Sequence, residues 1–143
     1  ALISCKTDTC FFSKLRFSLE VLRGFGLKSN DFINEIPNAI LNLDNSYIFI
    51  QGPPGTGKTF QASNVISKLL SKGKRVAVSA NSHKVIHNLL DRVEKVCIEK
   101  DIKFTGVKKS SRDNEEQYYD GKFIKTMVDD RDYINIIADT AYI

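Results

Sequence analysis

The chain has 143 residues, 42% of them apolar and 27% charged, with a formal net charge of +4. That is the composition of an ordinary soluble globular protein, long enough for one modest domain with its own core. No apolar run approaches the roughly 20 residues that would cross a bilayer. The three cysteines, Cys5, Cys10 and Cys97, are odd in number and not closely paired, which argues against a disulfide framework. The first residues, Ala1 to Lys6, lack an initiator Met and are too weakly apolar for a signal peptide. The expectation is a cytoplasmic protein cut from a longer chain. The mildly basic balance permits a nucleic-acid partner without requiring one.

In chain order, Phe11, Phe12, Leu15, Leu19 and Leu22 recur at helical spacing, so residues 1–30 are expected to form a helical lead-in. Gly24 and Gly26 would interrupt it. Residues 31–143 are expected to form the main domain. Phe32, Ile33, Ile36, Ala39, Ile40 and Leu43 mark an amphipathic helix despite Pro37. Tyr47 to Ile50 is a short continuous apolar run, the pattern of a buried parallel strand. Ala62, Val65, Ile66, Leu69 and Leu70 stripe a second helix, which Gly73 ends. A strand follows from about Arg75 to Ala80, then a helix striped by Val85, Ile86, Leu89, Leu90, Val93, Val96 and Cys97. Ile102 to Val107 reads as a third strand, Ser110 to Asp120 as a loop, and Ile134 to Ala138 as a last strand candidate; Phe123 to Val128 is ambiguous. Strands alternating with helices predict an α/β fold with a parallel sheet.

Between the apolar run and the second helix lies Gly52-Pro53-Pro54-Gly55-Thr56-Gly57-Lys58-Thr59. It fills the pattern G-x-x-x-x-G-K-[ST] in the strand–loop–helix context that this pattern needs. Triphosphate oxygens are held by backbone N–H groups that converge, and glycines let the chain wrap closely with positive φ. The following helix turns its positive N-terminal end to the anion. Lys58 supplies a mobile charge for the β- and γ-phosphates, and Thr59 a hydroxyl for Mg²⁺. The two prolines stiffen the loop entrance. The loop therefore predicts a site for ATP–Mg²⁺.

Two blocks carry a further likeness: Ile50 to Thr59, and Gly73-Lys74-Arg75-Val76-Ala77-Val78-Ser79-Ala80-Asn81-Ser82-His83-Lys84-Val85-Ile86-His87-Asn88-Leu89-Leu90. Together they resemble superfamily 1 helicases, in the branch often fused to a RecB-like nuclease. The likeness covers about residues 45–143. It implies a RecA-like P-loop NTPase with a three-layer parallel sheet and flanking helices, of which this chain holds an incomplete, N-terminal portion. It also implies single-stranded nucleic acid as partner (DNA rather than RNA), no membrane, and a fused or associated nuclease. The second block corresponds to motif Ia, which in that family grips the strand, and this implies nucleic-acid contacts from Asn81, Ser82, His83 and Lys84.

Read without the family, Asn81 and Ser82 suit either of two roles. They are good N-cap residues, and they also offer hydrogen bonds to a phosphate beside a helix N-terminus. His83 and His87 stand four apart, but neither a glutamate between them nor a third ligand completes a zinc site. Lys108, Lys109 and Arg112 form a small basic cluster that suits a phosphate backbone or, more simply, a solvated loop.

The chain departs from the family at its acids. Asp129, Asp130 and Asp132 do not end an apolar strand, and Asp139 is followed by Thr-Ala rather than a second acid. Neither the Walker B pair, nor the arginine fingers of a second domain, nor the upstream glutamine that reads adenine is evident. The chain alone is expected to bind nucleotide weakly or not at all and to hydrolyse it slowly, with Lys58 and Thr59 as its contribution to catalysis. Two other readings remain open from the residues: a hexameric AAA+ ATPase, and a non-catalytic nucleotide-dependent interaction module.

Overall fold

The computed structural model describes residues 2–6, 9–13, 32–43, 46–49, 53–110 and 117–128. Two strands open the chain, β1 (Leu2–Lys6) and β2 (Thr9–Ser13). They replace the first part of the expected helical lead-in. Only two residues separate them, which allows nothing but an antiparallel pair. Phe11 and Phe12, counted toward a helical stripe, belong to β2; aromatic residues suit a pleated surface as well as a helix face. Leu15, Leu19 and Leu22 lie outside the described residues, as do Arg112, the acids from Asp129 onward and the strand candidate at 134–138.

Helix α1 (Phe32–Leu41) follows, then β3 (Ser46–Phe49), α2 (Lys58–Ser71), β4 (Arg75–Val78), α3 (His83–Glu99), β5 (Gly106–Lys109) and β6 (Ile124–Met127). Pro37 sits in the second turn of α1, where it forfeits one helical N–H bond. The first sheet has the order β3-β1-β2-β4, and β5 pairs with β6 in a separate parallel ribbon. The expected purely parallel sheet is therefore corrected to a mixed one: β2 and β4 are parallel, but β1 is antiparallel to both its neighbours. The third strand also moves, from 102–107 to Gly106–Lys109, and the ambiguous stretch after Phe123 is β6.

Helix α2 packs against α1, α3 and β4. Val65, Ile66 and Leu69 are fully buried, with Ile36 and Ile40 from α1, Val76 from β4, and Leu90, Val93 and Cys97 from α3 around them. Burial on so wide an arc also encloses polar residues. Ser63 and Ser67 return their hydroxyls to the carbonyls of Phe60 and Asn64, three residues back. Asn64 donates to the Phe60 carbonyl and accepts from Lys100. These bonds satisfy the buried groups without help from solvent.

Both long helices end in the same device. In α2 the N–H of Lys74 reaches the Leu69 carbonyl and that of Gly73 the Leu70 carbonyl, with Gly73 at φ 68°. In α3 the N–H of Ile102 reaches Cys97 and that of Asp101 reaches Ile98, with Asp101 at φ 50°. Each is a Schellman closure; glycine takes the left-handed position without strain, and aspartate does so at a cost. The β5–β6 ribbon is tied to α3 by one carboxylate. Glu94, buried, accepts from the backbone N–H groups of Lys122, Phe123 and Ile124 at 2.9, 2.7 and 2.8 Å. A side chain at Gly121 would collide with it, since an added Cβ falls 2.4 Å from the carboxylate oxygens.

Candidate functional site

The strand register brings two chain exits to one edge of the sheet. Phe49, the last residue of β3, lies opposite Leu2, which lies opposite Ser13 at the end of β2. Phe12 in turn lies opposite Val78, the last residue of β4. Thus β3 and β4 run the same way and finish on the same side, three strand spacings or roughly 14 Å apart. The phosphate loop follows β3, and the segment Ser79–Ser82 follows β4.

Pro53 to Thr59 form the described part of the loop; Gly52 lies outside it. Gly55 and Gly57 take φ of 84° and 75°, conformations that suit glycine alone. Among the described residues nothing lies within 4 Å of a Cβ built on either. The loop is closed by its own bonds: the Thr56 N–H and hydroxyl both reach the Pro53 carbonyl, at 3.4 and 2.8 Å. Lys58 turns its ammonium back to that same carbonyl and lies 3.4 Å from the Thr56 hydroxyl. Its charge therefore sits over the loop rather than extending away from it.

Helix α2 starts at Lys58 with Gly57 as N-cap, and no side chain caps it. Its first intrahelical bond runs from Gln61 N–H to the Gly57 carbonyl at 2.9 Å. The N–H groups ahead of Gln61 have no helical acceptor by geometry, and the first turn holds no acid. Thr59, exposed on that turn, carries its hydroxyl at the same end. A left-handed glycine pair, a helix N-terminus and an inward lysine are the donor set a triphosphate with Mg²⁺ requires, so the residues present fit that ligand.

The second exit is also a helix start. Ser82 is the N-cap of α3, extended at φ −145° and ψ 133°, and its hydroxyl makes no capping bond. Its carbonyl accepts from Val85 and Ile86. Asn81, Ser82, His83 and Lys84 are all exposed. They line a polar cavity of 560 Å³ with His87, Asn88 and Gln117.

The sequence singles out no role for Gln117, which lines this cavity and accepts from Lys108. Lys108, expected in a solvated loop, lies in β5 and is only 5% exposed. Its ammonium reaches the Gln117 carbonyl and stands 3.4 Å from His83 Nδ1. Burial holds that ammonium below the usual lysine range. The His83 pKa is lowered as well, first by desolvation, then by the Lys108 charge and by His87. His87 Nε2 lies 3.3 Å from the same Gln117 carbonyl, and its ring stands 5.5 Å from that of Tyr119. Among the described residues no group of three or more potential metal ligands forms.

The start of α2 touches the middle of α3. Arg92 of α3 lies over the ring of Phe60, in the first turn of α2, at 5.2 Å. Asn88 lines both the groove beside this pair and the polar cavity. Among the described residues no helix is long and apolar enough to cross a membrane.

Comparison with known proteins matches residues 30–137 to the family described as AAA domain. Over 44 residues, 31% of the chain, it is 43% identical to the "DNA replication ATP-dependent helicase/nuclease DNA2" of Saccharomyces cerevisiae. Over a stretch of the same length it is 41% identical to the "DNA polymerase alpha-associated DNA helicase A" of Schizosaccharomyces pombe. These alignments span 3% and 7% of the two relatives, so the chain corresponds to a small part of each. No solved structure matches.

Proposed function

The chain belongs to the AAA domain family, as the N-terminal region of a superfamily 1 helicase, and from that premise we propose that it is the ATP-binding part of a translocase acting on single-stranded DNA. The observation that carries the reading is the shared sheet edge. A phosphate loop with two left-handed glycines and a segment of exposed hydrogen-bonding residues leave parallel-running strands on the same side.

In this reading the N–H groups from Gly55 to Thr59 and the ammonium of Lys58 hold the triphosphate, and the Thr59 hydroxyl faces Mg²⁺. The bound Mg²⁺ offsets charge at the phosphates. Lys58, already folded over the loop, loses little side-chain freedom when an anion replaces the Pro53 carbonyl as its partner. Asn81, Ser82, His83 and Lys84 receive the nucleic-acid backbone at the start of α3. The Phe60–Arg92 contact connects the start of α2 to the body of α3, so that a shift of α2 is felt along α3. Hydrolysis and unwinding belong to the whole protein, where an acid pair and arginines complete the site; a nuclease fused to or associated with it would fit the first of the two relatives.

The test is steady-state ATP hydrolysis by the full-length protein with and without single-stranded DNA. The reading predicts stimulation by the strand, lost in an Asn81→Ala, Lys84→Ala double variant that retains unstimulated turnover. Turnover indifferent to both DNA and RNA, with ATP-driven hexamers in sedimentation, would favour an AAA+ remodelling enzyme.

A further inference from the structure

The N-terminal hairpin brings together two cysteines whose spacing along the chain gave no sign of it. In the register of β1 against β2, Cys5 lies directly opposite Cys10. The row continues on both sides, with Cys5 opposite Ser46 of β3 and Cys10 opposite Val76 of β4. It crosses all four strands of the first sheet, at the end away from the phosphate loop. Residues directly opposite one another share a face of the sheet. Antiparallel pairs also alternate between hydrogen-bonded and non-bonded, and the pair flanking a two-residue link is of the bonded kind. Lys6 and Thr9 flank the link here, so Cys5 and Cys10 form the next, non-bonded pair. In a regular ladder the Cα atoms of such a pair stand roughly 4.5 Å apart, within the span of roughly 4.4–6.8 Å that a disulfide accepts. A slip of one residue would put the two cysteines on opposite faces. The third cysteine does not compete: Cys97 is fully buried in α3, where burial pushes its thiol up to about 11, so it stays protonated and slow to exchange.

We propose that Cys5 and Cys10 form a reversible disulfide site, a staple across the middle of the first sheet that a low-molecular-weight disulfide closes and a low-molecular-weight thiol reopens. The thiolate of one cysteine attacks a sulfur of the small disulfide RSSR, forms a mixed disulfide and expels RS⁻. The thiolate of the other then attacks the protein sulfur of that mixed disulfide, closes the Cys5–Cys10 bond and expels the second RS⁻. The two protein thiols give up two protons and two electrons, and RSSR leaves as two RSH. The hairpin lies between β3 and β4, so the staple stiffens the part of the sheet that spaces the two chain exits. The site stands apart from the nucleotide and nucleic-acid readings and does not depend on either.

The test equilibrates the chain with mixtures of oxidised and reduced glutathione, traps free thiols by alkylation and digests with trypsin. Cleavage after Lys6 and Lys14 puts the two cysteines on separate fragments, Ala1–Lys6 and Thr7–Lys14. A closed staple therefore appears in the mass spectrum as the two fragments joined, lighter than their sum by two hydrogens. The joined pair is expected as the main oxidised product, with Cys97 alkylated only after unfolding. Because a six-residue spacing could also close in an unfolded chain, the same equilibrium is measured in urea. The native hairpin should favour closure by roughly tenfold or more over the unfolded chain. Equivalently, oxidation should raise the melting temperature of the parent by about 5 °C and leave that of Cys10→Ser unmoved. Glutathione mixed disulfides at Cys5 and Cys10 without the joined pair would overturn the proposal, as would links to Cys97 or between chains as the main product. Equal closure with and without urea would overturn it too, since the register would then contribute nothing; this arm needs no variant to fold.

Discussion

The starts of α2 and α3 are alike in position and unlike in construction. Both follow parallel-running strands at one sheet edge, and neither has an acid in its first turn or a side-chain cap. The first is built from consecutive residues, where Gly55 and Gly57 shape the backbone and Lys58 folds onto it. The second is assembled from distant ones, with Lys108 and Gln117 brought to His83 and His87 by the β5–β6 ribbon. A local site survives small changes elsewhere in the fold. An assembled site depends on whatever holds its parts together.

That dependence gives the largest expected effect. Glu94 ties the ribbon to α3 through three backbone N–H groups. Glu94→Ala would leave those donors without their acceptor and cost about 3 kcal/mol in chemical denaturation, the upper end for a bond to a charged group. Oligo(dT) affinity should fall with it, while the glycine loop keeps its form. A variant as stable as the parent would show that the ribbon is not held this way.

The opposite change breaks the first site and spares the second. Gly57 has room for a methyl group but a φ of 75°, so Gly57→Ala should cost about 1–2 kcal/mol through the backbone alone. Nucleotide affinity should drop about tenfold, with oligo(dT) affinity unchanged. Equal losses for both ligands would argue against two separate constructions.

The same contrast decided what could be read from the residues. The loop, α2 and α3 were legible because each is a local pattern: a fixed spacing of glycines and lysine, or a stripe at helical period. Lys108 was not, because its burial depends on where β5 begins, and a strand ending at Val107 would have left it in solvent. The true strand is displaced to Gly106–Lys109, where Gly106 allows Ile124 to approach so closely that an added Cβ would lie 2.8 Å from Cγ1. That approach is a tertiary contact with no local signature. The N-terminal hairpin was missed for a related reason, since Phe11 and Phe12 satisfy a helical and an extended pattern equally until pairing partners are known.

Two smaller effects sharpen the comparison by leaving both sites intact. Asp101 closes α3 in the left-handed region, so Asp101→Gly should stabilise the chain by about 1 kcal/mol with neither ligand affected; a loss of stability would mean that the aspartate side chain contributes there. Cys97 is fully buried, and burial, aided by Glu94 against the pull of Lys100, pushes its thiol up to about 11. It should stay protonated and react slowly with thiol reagents at neutral pH. Fast labelling in Glu94→Ala but not in the parent would report loosening of α3.

The central claim is that the loop at Pro53–Thr59 holds a triphosphate through its backbone and Lys58. Calorimetric titration of Mg²⁺–ATP into the parent and into Lys58→Ala tests it most directly. The account predicts measurable, if weak, binding by the parent and at least a tenfold loss in the variant, about what one bond to a charged group is worth. Equal affinities in the two proteins would contradict it.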